Sequence, residues 1–104
     1  MKKIAVFKGQ KIRRHWDEKQ EKWFFSVADV VQVLTNSTIP KRYWSDLKRK
    51  LINEGSQVYD KIVQLKFQSS DGKYYLSDAT DTESMLRIIQ SIPSPNAEPF
   101  KLWF

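Results

Sequence analysis

The hydrophobic pattern of this chain changes its period at Ser26, and that change constrains the fold more than any other feature. Before Ser26, short apolar runs between polar turns predict three β-strands, at residues 3–7, 11–16 and 22–25. After it, apolar residues recur at the spacing of one helix face: Val27, Val30, Val31 and Leu34. Ser26 and Asp29 have the spacing of a capping box, which indicates a helix that begins at Ser26 and ends near Thr35.

A second helix follows after a short polar loop. Pro40 is placed to open it, it runs to about Asn53, and Gly55 is its stop. Two helices joined in this way resemble a helix-turn-helix arrangement, in which the second helix commonly enters the major groove of DNA. The loop lacks a glycine, so the resemblance to that motif is loose.

The second half of the chain returns to strands and then to helices. Residues 61–67 and 73–76 predict a hairpin with Asp71 and Gly72 in its turn. Thr80 to Glu83 has the form of a second capping box and opens a third helix, and residues 96–104 restart a helical pattern. We therefore predict an α+β fold: a small antiparallel sheet with three to four helices packed on it, including the helix-turn-helix-like pair.

The length of 104 residues predicts one domain, residues 1–104, with a single hydrophobic core. The last helical pattern, residues 96–104, is too short to form a stable isolated helix, and its apolar tail from Phe100 to Phe104 must be buried against something. We expect the chain to be the N-terminal part of a longer protein, or the tail to dock on its own domain. A protein partner or a homodimer formed through this tail is a further expectation.

Composition excludes several classes of function. The chain has no cysteine, which removes disulfides, thiolate zinc sites and cysteine nucleophiles and suits a reducing cytoplasm. No apolar stretch approaches the roughly 20 residues that span a bilayer, so we expect a soluble protein with no membrane partner.

Few residues suggest catalytic chemistry. His15 is the only histidine and falls in a predicted strand beside Trp16, a poor place for a triad or a zinc site. Helix capping explains Asp81 and Glu83 of the densest acidic cluster, Asp78 to Glu83, without a metal. We expect no catalytic residue, no cofactor and no metal, and therefore no enzyme.

The positive charge is concentrated in one half of the chain. The net charge is +6, but residues 1–55 carry 13 Lys and Arg against 6 Asp and Glu, a difference of +7. Residues 56–104 carry 5 against 6, a difference of −1. A basic field of this kind attracts polyanions, of which nucleic acid is the commonest in cytoplasm, although a generic solubilising surface has the same composition.

The second predicted helix carries much of this charge on one face. Projection at 100° per residue places an apolar stripe against the core, formed by Tyr43, Trp44, Leu47 and Leu51. The other face and its edges are cationic and polar, and they supply the candidate DNA-binding residues Lys41, Arg42, Ser45, Lys48, Arg49 and Lys50. The lysines would pair with phosphates, and the arginines with Ser45 would reach into a groove. An ordinary solvated helix face is the alternative.

A second basic cluster lies on the second predicted strand. It consists of Lys11, Arg13 and Arg14, preceded by Lys2, Lys3 and Lys8. Two such segments could build one groove for nucleic acid. Since adjacent strand residues point to opposite faces, the sequence leaves open whether Arg13 and Arg14 share that surface.

Several runs in one order give the chain a family resemblance. WFFSVADVV, YWSDLKRKL and EGSQ, followed by SIPSPNAEPFKLW, resemble the N-terminal domain of the BRO family. That domain is found in baculovirus repeated-ORF proteins, prophage antirepressors and the bacterial DNA-damage-inducible protein D. The resemblance extends from about Ile12 to Trp103 and is closer to the bacterial and phage branch.

The resemblance implies a DNA-binding module, usually joined to a variable C-terminal region, in phage regulation or the response to DNA damage. It supplies no catalytic residues to carry over. We predict a regulatory module that binds DNA through the basic helix. Duplex DNA is the expected form, although the residues do not decide between duplex and single-stranded DNA. The rival prediction is an antirepressor-like module that binds a repressor or recombination protein without touching DNA.

Overall fold

Tight turns at residues with positive φ connect the first strands into one sheet. The computed structural model describes residues 4–55 and 57–103. Lys8 and Gly9, at φ 48° and 78°, form the two-residue turn between β1 (Ile4–Phe7) and β2 (Gln10–Asp17). Positive φ at both positions is the geometry of a type I′ hairpin, whose twist matches that of the strands. β3 (Lys22–Ser26) follows as the next antiparallel neighbour.

A second hairpin completes a five-stranded antiparallel sheet. β4 (Val63–Gln68) and β5 (Tyr74–Asp81) are joined by the predicted turn, in which Gly72 has φ 84°. The strand order is β1-β2-β3-β5-β4, so β5 pairs with β3, but only over Ala79–Asp81. β5 runs five residues past the predicted end at Leu76. Pairing to both neighbours stabilises that added part.

The helices confirm the predicted α+β class. They are α1 (Val27–Thr35), α2 (Pro40–Asn53), α3 (Thr82–Gln90) and α4 (Ala97–Trp103), and a 3-10 turn lies at Gln57–Lys61. α1 packs on α2 across the four-residue connection 36–39, in which Asn36 adopts φ 54°. The packing of these helices as a helix-turn-helix pair stays a prediction.

The helix caps differ in part from the predicted capping boxes. The Ser26 hydroxyl accepts from the Asp29 N–H as predicted, but the Asp29 carboxylate binds Arg13 in β2. The prediction that Thr80 caps α3 is wrong. Asp81 caps it by accepting from the Ser84 N–H, whereas Thr80 is buried in β5 and donates its hydroxyl hydrogen to the Lys61 carbonyl.

The core fills the space between one face of the sheet and the helices. Ile12 and Phe25 from the sheet pack with the apolar faces of α1 and α3. The predicted apolar face of α1 is buried, as is the apolar face of α3, and the innermost residues of these two helices are Val27, Val30, Val31, Met85, Ile88 and Ile89. A small second cluster, Phe24, Phe67 and Ala79, lies apart from the main core.

The C-terminal tail docks on its own domain. Phe100 is fully buried, with its ring centroid 4.9 Å from that of Phe7, and the Trp103 ring lies 5.4 Å from Phe7. This contact supplies the burial that the apolar tail requires. Leu102 points outward and is 89% exposed, and Phe104 lies outside the described residues. A homodimer through this tail stays a prediction.

The segment before α4 is tied to the end of α1. The Ser94 hydroxyl donates to the Leu34 carbonyl, and the Asn96 side-chain amide donates to the Val33 carbonyl. Carbonyls in the last turn of a helix have no partner within the helix, so these two side chains satisfy them. The SIPSP run therefore joins the start of the tail to α1.

Candidate nucleic-acid interface

α2 presents a cationic face to solvent, as its sequence predicts. Trp44, Leu47 and Leu51 are buried, and Tyr43 is partly buried beside them. Five of the predicted contact residues are exposed: Lys41, Arg42, Ser45, Arg49 and Lys50. None of their four basic side chains forms an ion pair within residues 4–55 and 57–103. We call this set the α2 face.

The first turn of α2 has neither a side-chain cap nor an acid. Its N-cap is Ile39, which cannot accept a hydrogen bond through its side chain, whereas Ser26 and Asp81 cap α1 and α3. Lys41 and Arg42 stand at this end, where the helix dipole is already positive. Each positive charge at the N-terminal end of a helix destabilises that helix by about 0.3–1 kcal/mol. A bound anion would relieve it.

Lys48, the sixth predicted residue of α2, is engaged inside the protein. Its Nζ lies 2.8 Å from the Asp78 carboxylate of β5. The same carboxylate accepts from Trp44 Nε1 at 2.8 Å and from Gln64 Nε2 at 2.9 Å. The Asp78 side chain is only 11% exposed. Because Lys48 is in α2 and Asp78 is in β5, this ion pair connects the helix to the sheet.

These contacts determine how Asp78 titrates. Burial favours its neutral form, but the hydrogen bonds from Lys48, Gln64 and Trp44 outweigh burial and hold the pKa of Asp78 below its ordinary value. A carboxyl with a lowered pKa in the folded state stabilises the fold above its unfolded pKa. That contribution is lost as the pH falls from about 4 through the folded pKa.

We expect Asp78→Asn to lower the free energy of unfolding by about 1–3 kcal/mol at neutral pH, because it removes hydrogen bonds to a charged acceptor. The difference from the wild type should shrink at about pH 3, where the wild-type carboxyl is itself becoming protonated. Urea unfolding followed by tryptophan fluorescence at the two pH values measures both effects. Asp46→Asn, at an exposed site on α2, is the charge-matched control and should change little. Equal losses at both pH values would contradict the pairing.

In β2, Arg13 is a structural residue. Its Nε and Nη2 lie 2.7 and 2.8 Å from the two Asp29 oxygens, and its backbone N–H donates to the same carboxylate at 2.9 Å. Nη1 also donates to the Gln68 carbonyl at 3.2 Å. Arg13 therefore joins β2, α1 and the end of β4, and most of its charge is neutralised by Asp29.

The side chains of Arg13 and Arg14 lie on opposite faces of the sheet. The Arg14 guanidinium lies over the Trp23 ring at 3.9 Å, on the sheet face opposite the Arg13 side chain. Lys11 is exposed on the same side of the strand as Arg13, while Lys2 and Lys3 lie outside the described residues. α1 packs against both β2 and α2, so it lies between the basic cluster of β2 and that of α2. The two clusters therefore form two separate surfaces.

The β4–β5 hairpin adds a cation that the sequence did not indicate. β4 is three places from β2 in the sheet, yet its Gln68 carbonyl receives Arg13, so the end of the hairpin curls toward β2. The curl and β2 border a half-open pocket of about 610 Å³. We call it the basic notch, lined among others by Lys11, Arg13, Arg14, His15, Lys66 and Tyr74. Only the long-range curl brings Lys66 to the pocket that Lys11 also lines.

The structure places three of the residues considered for chemistry in β2 and β5. His15 is an exposed strand residue, Asp78 binds α2, and Asp81 caps α3 while pairing with Lys22 at 3.1 Å. The part of the chain that the structure describes contains no cluster of three or more side chains suited to hold a metal ion.

The family model for the BRO family, N-terminal domain, matches residues 11–104, nearly the whole chain. The chain belongs to the BRO family. No curated protein and no solved structure matches this Bro-N domain.

Membership implies a domain of the DNA-binding or antirepressor type. Both the α2 face and the basic notch of the Bro-N domain are surfaces that suit a polyanion. None of the helices among the described residues has the length and apolar character needed to cross a membrane.

Proposed function

We propose that this Bro-N domain is a regulatory module that binds duplex DNA through the α2 face. Lys41 and Lys50 contact phosphates, and Arg42, Ser45 and Arg49 face a groove, where arginine and serine recognise base edges. Lys48 keeps α2 in place through Asp78 and does not contact DNA.

One observation carries this proposal: the uncapped, cationic first turn of α2 continues into an exposed basic face. A helix selected only for solubility would gain from an acid or a capping side chain at that end, as α1 and α3 have. α2 instead has Lys41 and Arg42 there. A phosphate at this end would complete the cap and neutralise the charges.

A salt series tests the proposal. Fluorescence anisotropy of a labelled duplex, titrated with the domain at about 50 to 200 mM salt, should give an affinity that falls steeply with salt. The two proposed phosphate contacts, from Lys41 and Lys50, would give a slope of about −2 in log affinity against log salt. Absence of duplex binding at the lowest salt would reject the proposal and leave the basic half as a solvated surface.

An antirepressor that binds another protein is the second candidate. It is favoured by the exposed apolar end of the β4–β5 hairpin, where Tyr74, Tyr75 and Leu76 are 60%, 47% and 59% exposed. A domain acting in this way would bind its partner equally well after Arg42 and Arg49 are replaced. Whichever partner it has, we propose a binding role in the cytoplasm, in phage regulation or the DNA-damage response, without catalysis.

A further inference from the structure

The basic notch differs in shape from the α2 face. The α2 face is a convex helix surface, whereas the notch is concave, walled on one side by β2 and on the other by the curled end of the β4–β5 hairpin. Its volume of about 610 Å³ is typical of sites that enclose one small ligand, roughly 300–1,000 Å³. A duplex could only lie across its mouth, but a single nucleotide unit fits inside.

The charge of the notch favours an anion. Arg13 and Asp29 cancel each other, and the Arg14 guanidinium lies over Trp23 on the other sheet face, which leaves Lys11 and Lys66 as the excess of positive charge in the notch. Lys11 and Lys66 are exposed and come from opposite walls. Two ammonium groups carried by separate elements around one pocket can bind one phosphate between them.

An aromatic ring and polar groups complete the lining. Tyr74 lies at the notch and is 60% exposed, so its ring is available to a planar ligand. It lies on the same hairpin face as Lys66, because Gln68 pairs with Tyr74 and Lys66 is two residues from Gln68. Ser69 and Ser70 add hydroxyl groups. An exposed tyrosine beside cations is the arrangement on which single-stranded bases stack.

We propose that the basic notch binds one nucleotide of a single-stranded nucleic acid, with its phosphate between Lys11 and Lys66 and its base on Tyr74. The proposal shares the ligand class of the proposed function and otherwise rests on separate residues. An extended peptide added alongside residues 10–13 of β2, which pair with β1 and not with β3, is disfavoured because the Arg13 backbone N–H already donates to Asp29.

The test is anisotropy of a labelled oligothymidylate of about 8 nucleotides, within the usual range of single-strand site sizes. Lys11→Ala combined with Lys66→Ala should weaken its binding about tenfold or more, through two lost phosphate contacts. Tyr74→Ala should weaken it about fivefold or more, and Tyr74→Phe should keep wild-type affinity because stacking needs only the ring. Tyr75→Ala, on the opposite hairpin face, is the matched control and should bind like the wild type.

Competition identifies the ligand. Thymidine monophosphate should displace the oligonucleotide at lower concentration than inorganic phosphate or an acidic peptide. Equal displacement by inorganic phosphate, or by the peptide, would overturn the nucleotide assignment. So would wild-type binding by Tyr74→Ala or by the double lysine variant. All variants change exposed residues, so their thermal melts should match that of the wild type and show that they are folded.

The same variants separate this proposal from the duplex one. The notch variants should bind duplex like the wild type, and Arg42→Ala with Arg49→Ala should still bind the single strand. Single-strand binding without duplex binding would leave the notch assignment standing and reject the α2 proposal. Parallel loss of single-strand binding in the α2 variant would overturn the notch as a separate site.

Discussion

Replacing Arg42 and Arg49 together with alanine is expected to weaken binding of duplex DNA by about 30-fold or more. A lost arginine contact to a base edge costs about 1–3 kcal/mol, and 1.4 kcal/mol corresponds to tenfold in affinity. Both arginines are exposed on α2, and neither forms an ion pair within the described part of the chain. Alanine is a good helix former, so α2 and its buried stripe should remain folded.

A charge-matched variant separates a specific face from a general field. Lys19→Ala with Arg87→Ala removes the same two charges from an exposed turn and from the exposed side of α3. Anisotropy at one salt concentration should show little change for this control, and only the α2 variant should lose affinity about 30-fold or more. Equal losses in both variants would mean that net charge, and not α2, binds the DNA.

Phe100→Ala is expected to lower the free energy of unfolding by about 3–5 kcal/mol, the usual cost of removing a large buried ring. Phe100 is fully buried and contacts Phe7 and Trp103, so its removal leaves a cavity between the tail and the first strand. Small domains have only about 5–15 kcal/mol of stability in total. Thermal melting should therefore show a fall in Tm of roughly 15 °C or more.

Leu102→Ala is the control on the same helix. Its side chain is 89% exposed, and surface changes usually stay within about 0.5 kcal/mol. If both substitutions destabilised the domain equally, α4 would not be docked as observed. A wild type that is dimeric by mass, together with a monomeric Leu102→Ala variant, would confirm the predicted homodimer through the tail.

The elements that could be predicted were those with strong local signals. Period, caps and turn residues indicated the bounds of α1, α2 and the hairpin turn, because each depends on residues a few positions apart. The Thr80 cap failed for a tertiary reason. Thr80 and Asp81 both suit a cap, and pairing of Thr80 with Phe25 in the sheet moved the start of α3 by one residue.

The sequence by itself determined the α+β class, the family and the cationic face of α2, since helical projection follows directly from residue spacing. Only the tertiary structure decided which cations are available. Lys48 and Arg13 are paired with Asp78 and Asp29, respectively 30 and 16 positions away. Lys66 reaches the basic notch only because the hairpin curls toward β2. The strand order and the curl of the hairpin depend on contacts between residues distant in sequence, so local sequence patterns do not predict them.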